Sequence, residues 1–155
     1  MSQYIDSYYL VNERDSGLVY KFLDDFLPQN KELSEDYPIP QFGPENEKAF
    51  DNVKDLLTYL DQNAGVDYII YWQNLADTSE IKQFTLQYTN DGKMIFGVSI
   101  YGNEVDSRES LLMYYRMKRY LNPDYACITG EEPPPGNSEE FIRFCENRYV
   151  PVISV

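Results

Sequence analysis

Apolar and polar positions alternate most densely between residues 66 and 101, in three strand-length runs: Val66 to Gln73, Ile81 to Thr89 and Met94 to Tyr101. All three are rich in β-branched and aromatic residues, and Asn90-Asp91-Gly92-Lys93 between the last two is a strong hairpin signal. In the second run Phe84, Leu86 and Tyr88 share one face, while Lys82, Gln83, Thr85 and Gln87 leave the other largely polar. Met94, Phe96, Val98 and Ile100 share one face of the third, with Gly97 and Ser99 opposite. A sheet with one apolar and one wetter face needs helices on the apolar side. The first run differs. Tyr68, Ile70 and Trp72 lie on one face and Asp67, Ile69, Tyr71 and Gln73 on the other, so both are partly apolar. That pattern fits a central strand covered on both sides, or a second face meant for a partner, and the covered strand is the first expectation.

Residues 4 to 12 alternate as a strand buried at least partly on both faces, and Asp15 or Ser16 can cap a following helix. The stripe Leu18, Val19, Phe22, Leu23, Phe26 is helical in spacing, and Leu27-Pro28 ends it. Residues 28–49 are the longest irregular stretch, with Pro28, Pro38, Pro40 and Pro44; Tyr37-Pro38-Ile39-Pro40 is expected to be extended. A second helix is predicted from Asp51 or Asn52 through Val53, Leu56, Leu57 and Leu60 to Asn63-Ala64-Gly65. A third follows Asp106 and Glu109, runs to Leu121 and stops at Asn122-Pro123. Residues 125–130 read as a short buried strand, and Glu131 to Gly136 as a stiff polyproline-like connector. Ser138 caps a final helix carrying Phe141, Phe144 and Cys145, and residues 150–155 form an extended tail or edge strand. The expected fold is therefore α+β in a single domain over residues 1–155. Its sheet is five-stranded and mostly antiparallel, with helices mainly on one face. The β-α-β-β-α-β skeleton inside that order suggests a ferredoxin-like fold with an added hairpin strand.

Composition narrows the function. The formal charge is −13, from 26 acidic and 13 basic residues. That argues against nucleic acid and against anionic membrane surfaces, and favours a basic protein partner. No run approaches the ~20 apolar residues of a membrane span, and the N-terminus lacks the regions of a signal peptide, so a cytoplasmic protein is expected. Cys127 and Cys145 lie inside apolar patterns and read as free buried thiols. With no histidine in the chain, imidazole-based nucleophilic sites and His-containing zinc sites are excluded. No phosphate-cradling or metal-loop motif is present, so neither cofactor nor metal is expected.

What remains is carboxylate and phenol. From Asp24 to Asp55 there are nine acids against three lysines. The candidate binding residues are Tyr37, Phe42, Asp67, Tyr71, Trp72, Tyr101, Glu131 and Glu132: aromatics of the kind enriched at binding hot spots, and acids at strand ends. In physical type the chain resembles antitoxin and immunity proteins, being small, very acidic and tyrosine-rich without catalytic apparatus, though no motif carries a residue role across. The first expectation is thus a non-enzymatic module that docks or neutralises a basic protein. The alternatives are a regulatory domain with an aromatic small-molecule pocket near Trp72 and Tyr101, and a carboxylate-dependent hydrolase built on Glu131 or Glu132 facing another acid. The sequence leaves the oligomeric state open.

Overall fold

Residues 3–152 are described by a computed structural model. The first alternating run is β1 (Tyr4–Val11). Asp15 caps α1 (Ser16–Phe26), its carboxylate accepting the N–H groups of Gly17 and Leu18, and the helix buries Val19, Phe22 and Leu23. The stretch 28–49, expected to be irregular, holds three short strands: β2 (Asn30–Glu32), β3 (Tyr37–Ile39) and β4 (Lys48–Phe50). Three residues are too few to show a period, so these strands exist because a partner supplies their hydrogen bonds. Asn52 then caps α2 (Val53–Gln62), which buries Leu56, Leu57 and Leu60.

The central strands are β5 (Tyr68–Asn74), β6 (Ile81–Tyr88) and β7 (Met94–Tyr101). Ser107, one residue later than expected, caps α3 (Arg108–Leu121), which ends on Asn122 in the left-handed region at φ 48°. β8 (Tyr125–Thr129) and α4 (Ser138–Glu146) complete the order, with Asn137 rather than Ser138 as the last helix's cap. The fold is α+β, as expected, with four helices among the described residues. Its main sheet has six strands rather than five, in the order β2-β5-β6-β7-β1-β8, and every neighbouring pair is antiparallel. The additional strand is β2, recruited from the acidic stretch; β3 and β4 pair with each other apart from it.

The register sorts side chains between two unequal faces. Ile5, Tyr9, Ile70, Trp72, Phe84, Leu86, Phe96 and Val98 point to one side, where α1, α2 and α3 pack. Phe84 is central there, with the rings of Phe22, Trp72 and Phe96 at 4.6, 5.0 and 5.5 Å. The fourth helix breaks the one-face expectation. Phe141 and Cys145 of α4 pack on Tyr8, Leu10, Ile95 and Cys127, on the opposite side. Both cysteines are free and buried, as expected. Because α4 reaches only β1, β7 and β8, the second face over β5 and β6 has no helix above it.

The outer edges are blunted by single groups. Beyond β2, the side-chain amide of Gln41 takes the place of a strand, donating to Ile69 O and accepting from Ile69 N–H, both at 2.8 Å. At the other edge Ile128 N–H donates to Tyr149 O at 2.8 Å, an isolated bridge. The expected tail strand has no counterpart over Val150–Val152, and residues 153–155 lie outside the described residues.

One side chain ties the helical layer to the sheet. Arg14, between β1 and α1, donates from Nη1 to Leu60 O and Asn63 O at 2.5 and 2.8 Å, and from Nη2 to Val66 O and Thr89 O, both at 2.6 Å. Its guanidinium sits 4.9 Å from the centre of the Tyr88 ring. Lysine has three donors on a point charge and cannot fork across four carbonyls. Arg14→Lys is expected to cost about 3 kcal/mol, read as a lower urea midpoint at unchanged slope. A midpoint equal to that of wild type would show the carbonyls to be satisfied without the fork.

Candidate functional site

The uncovered part of the second face holds a polar cavity of about 170 Å³, lined by Asp6, Tyr8, Ile69, Tyr71, Gln83, Thr85, Gln87, Ser99, Glu131, Pro133 and Pro134. Its floor follows from pairing. Tyr71 stands opposite Thr85, Thr85 opposite Gly97, and Gly97 opposite Tyr8, so these positions form one row across β5, β6, β7 and β1. Gly97 is required there by space rather than by the needs of its own backbone, because a Cβ at this position would meet Tyr8 Cε1 at 2.7 Å. The missing side chain lets the phenol ring lie flat across β7 and reach the cavity.

The wall is the connector after β8. It turns at Glu131, which sits at φ 63°, and the three prolines that follow hold it extended. Gln87 Nε2 donates to Pro135 O at 2.9 Å, and Asn90 N–H donates to Gly136 O at 3.0 Å. The β6–β7 turn also receives the start of α4. Asp91 accepts from the N–H and the hydroxyl of Ser138, and Asn137 Nδ2 donates to Asn90 Oδ1 at 2.8 Å. Burial alone would raise the pKa of Asp91, but the hydroxyls of Ser138 and Thr89 and the Ser138 N–H outweigh it and hold the carboxyl below its ordinary value. The strap is thus pinned at the sheet and at the hairpin.

Asp6 is the charge at the bottom. Ser99 Oγ donates to its Oδ1 at 2.6 Å, and Tyr8 lines the same cavity. Burial raises its pKa and the charge of Glu131 adds to the rise, against the lowering effect of the Ser99 hydroxyl. Tyr8, 7 % exposed, has its own pKa pushed well up by burial and by the charge of Asp6. Glu131 accepts Gln3 N–H at 3.1 Å. Among the described residues the one ion pair is Arg148 with Glu132, at 2.7 Å, so neither cavity carboxylate has a cation.

Of the residues singled out from the sequence, Tyr71, 40 % exposed, and Glu131 meet at this cavity. Tyr101 is exposed farther along the same face, against Tyr4 at 5.2 Å and with Lys82 Nζ 5.0 Å from its ring centre. Phe42, 77 % exposed, follows Gln41 at the β5 edge. Trp72 and Tyr37 are corrections, being 1 % and 2 % exposed. Trp72 shares the face of Tyr68 and Ile70, which the helices cover, while Tyr37 packs near Tyr68 and donates its hydroxyl to Glu32. An aromatic pocket shared by Trp72 and Tyr101 is therefore not formed, since the two lie on opposite faces. Asp67 is exposed just before β5, beside the Val66 carbonyl that Arg14 holds and away from the cavity, and Glu132 faces Arg148. The expectation of a covered second face on β5 is corrected too, because Tyr71 and Gln73 are exposed.

Asp6, Tyr8, Gln83, Thr85, Gln87 and Ser99 were not singled out. The polar alternation of the second and third runs marked Gln83, Thr85, Gln87 and Ser99 as one wet face. Asp6, the one charged residue of β1, is the signal that local spacing leaves unread. Among the described residues no group of three or more His, Cys, Asp or Glu side chains is placed to share a metal ion, and no helix is long and apolar enough to cross a membrane. No family model, curated protein or solved structure matches this chain.

Two outcomes test this geometry. Gly97→Ala must displace the Tyr8 ring and is expected to cost about 1–3 kcal/mol in chemical denaturation; an unchanged midpoint would show the ring free to move. The second concerns Asp6. A carboxyl whose folded pKa lies above its unfolded value of about 3.9 contributes stability that is full below that value and lost as pH rises through the folded one. Asp6→Asn should therefore melt above wild type at neutral pH, and the gap should close as pH falls towards 4. Parallel melting curves across that range would refute the desolvation of Asp6.

Proposed function

We propose that this chain is a binding module for a basic protein, which docks on the open face of the sheet beside the proline strap, in the manner of proteins that neutralise a partner by covering it. The observation that carries the reading is a half-buried carboxylate, Asp6, sharing one cavity with Glu131 and with no internal cation for either among the described residues. Burying an anion without a partner costs several kcal/mol, and a cation brought from outside is what would offset it. The surroundings support the same reading. The field of a chain with formal charge −13 steers cations towards it. Tyr71, Tyr101 and Phe42 add exposed aromatic area on this face and its edge.

The alternative with a specific observation behind it is acid/base hydrolysis, since Asp6 with a raised pKa near Glu131 resembles an acid/base pair. Size favours binding. Small-molecule sites run to roughly 300–1,000 Å³, and the cavity has about 170 Å³, room for one side chain rather than a substrate with its leaving group. The strand order β6-β7-β1-β8, with α1 after β1 and α3 between β7 and β8, also supports reading the core as a ferredoxin-like fold extended by β5 and β2. That reading carries no function by itself.

The test is capture from the native cell on immobilised protein, with wild type and a Tyr71→Ala/Glu131→Gln variant of matched melting temperature run in parallel. A basic protein held by wild type at low salt, released as salt shortens the screening length and missing from the variant is the expected result. Equal capture by both baits would place the interface elsewhere and overturn the docking face.

A further inference from the structure

We propose that the cavity between the open sheet face and the proline strap is the receptor for a single arginine side chain of the partner. The inference rests on the reading that a basic protein docks on this face, and adds to it which cation enters and where.

The polar part of the lining offers mainly oxygen acceptors, set among phenol rings, Ile69 and two prolines. Asp6 accepts one hydroxyl, that of Ser99, and an ionised carboxylate offers about four lone-pair sites, so acceptor capacity is left over. Glu131 has one oxygen on Gln3 N–H and the other available. Gln87 gives its amide nitrogen to the carbonyl of Pro135, which leaves the amide oxygen as the group it can offer a ligand. Two neighbouring carboxylates in one small cavity, with the amide and hydroxyl groups of Gln83, Thr85 and Gln87 also in its lining, suit a planar ion with donors directed several ways. A guanidinium has five N–H donors in a rigid fork and stacks on phenol rings, whereas an ammonium is a compact, strongly hydrated point charge. Tyr71 and Tyr8 supply rings at the cavity. An anionic ligand would face both carboxylates without a lysine or arginine in the lining to hold it.

The molecule has already solved this recognition problem once. Arg14 is held by four carbonyl oxygens, with a phenol ring 4.9 Å from its guanidinium carbon. The cavity has the same two ingredients, oxygen acceptors and phenol faces, with carboxylates in place of two of the carbonyls and no arginine of its own in the lining.

The test is a titration of ¹⁵N-labelled protein at low salt with N-acetyl-arginine methylamide, and separately with the lysine counterpart and with a neutral monosaccharide. The expected result is saturable shift changes at the amides of Tyr8, Thr85 and Ser99 with the arginine probe. Roughly tenfold weaker binding is expected for the lysine probe, with loss of both responses in Asp6→Asn. Equal affinity for the two cations would overturn the arginine assignment, as would shifts scattered over the surface, or saturable binding of the sugar alone. Should the arginine probe fail while capture of a basic protein still depends on Tyr71 and Glu131, the pocket is refuted and the docking face stands. Should capture be indifferent to those residues, the docking face falls whatever the probes do.

Discussion

The arrangement of the helical layer depends on one guanidinium. The last turn of α2, the loop after it and the residue that follows β6 each present a carbonyl with a lone pair to spare, Leu60 O taking only the Asn63 N–H at 3.3 Å and Asn63 O the Val66 N–H at 3.0 Å. Arg14 reaches a carbonyl in each of these three places from the β1–α1 turn, joining segments that lie 46 to 75 residues away in the chain. Few hydrogen bonds fix so many separate elements, and a cation does it at about twice the strength of a neutral donor. The acids near it, Asp61, Asp67 and Asp91, lie on the favourable side of the balance, since their charges oppose the lowering of the Arg14 pKa by burial. In a chain with twice as many acids as bases, one of the thirteen cations is committed to holding backbone together.

That commitment shapes the other face. With α1, α2 and α3 all on the Phe84 side, only α4 is left for the opposite side, and it spans β1, β7 and β8. The strap from Glu131 to Gly136 has to bring the chain from the end of β8 to the β6–β7 turn, where α4 begins. It does so across the polar rows of β6 as a stiff segment, so that a cavity is left beneath it and is not closed by a flexible loop. The site is therefore a consequence of unequal covering. Its polarity comes from strands that alternate, and its depth from a glycine at position 97 that lets Tyr8 lie down.

How much of this can be read in the sequence follows the range of the interactions. The first two helices, the β6–β7 hairpin and the apolar face of β6 and β7 are written in local spacing, and they stand as the spacing predicts. β2, β3 and β4 are not, because three-residue strands in a proline-bearing stretch are defined by partners elsewhere in the chain, in the case of β2 by β5. The same holds at the site. Tyr71 and Glu131 could be singled out by residue type and position, but their meeting depends on the strap, and on Gln87 holding it. Trp72 was misplaced for a related reason. Its strand has aromatics on both faces, and only the register against Phe84 shows which of the two is buried. Asp6 was legible as an oddity, the one charged residue of β1, yet its neighbours Ser99 and Glu131 lie more than ninety residues away.

The state of Asp6 bears on how a partner would be recognised. A surface carboxylate must shed water when a cation arrives, and that cost cancels most of the Coulomb attraction, which is why exposed ion pairs contribute little. Here part of the water has already been removed by folding, and the hydroxyl of Ser99 replaces it without neutralising the charge. The cost is carried by the fold before any encounter, so an incoming cation meets an anion in a medium where attraction is screened less than at the open surface. What the cation brings then decides the outcome. A guanidinium is more weakly hydrated than an ammonium and loses less on entering. A site organised in this way would discriminate by the hydration and shape of the ion as well as by its charge, and under the proposal above that would separate one arginine from the general attraction of an acidic protein for anything basic.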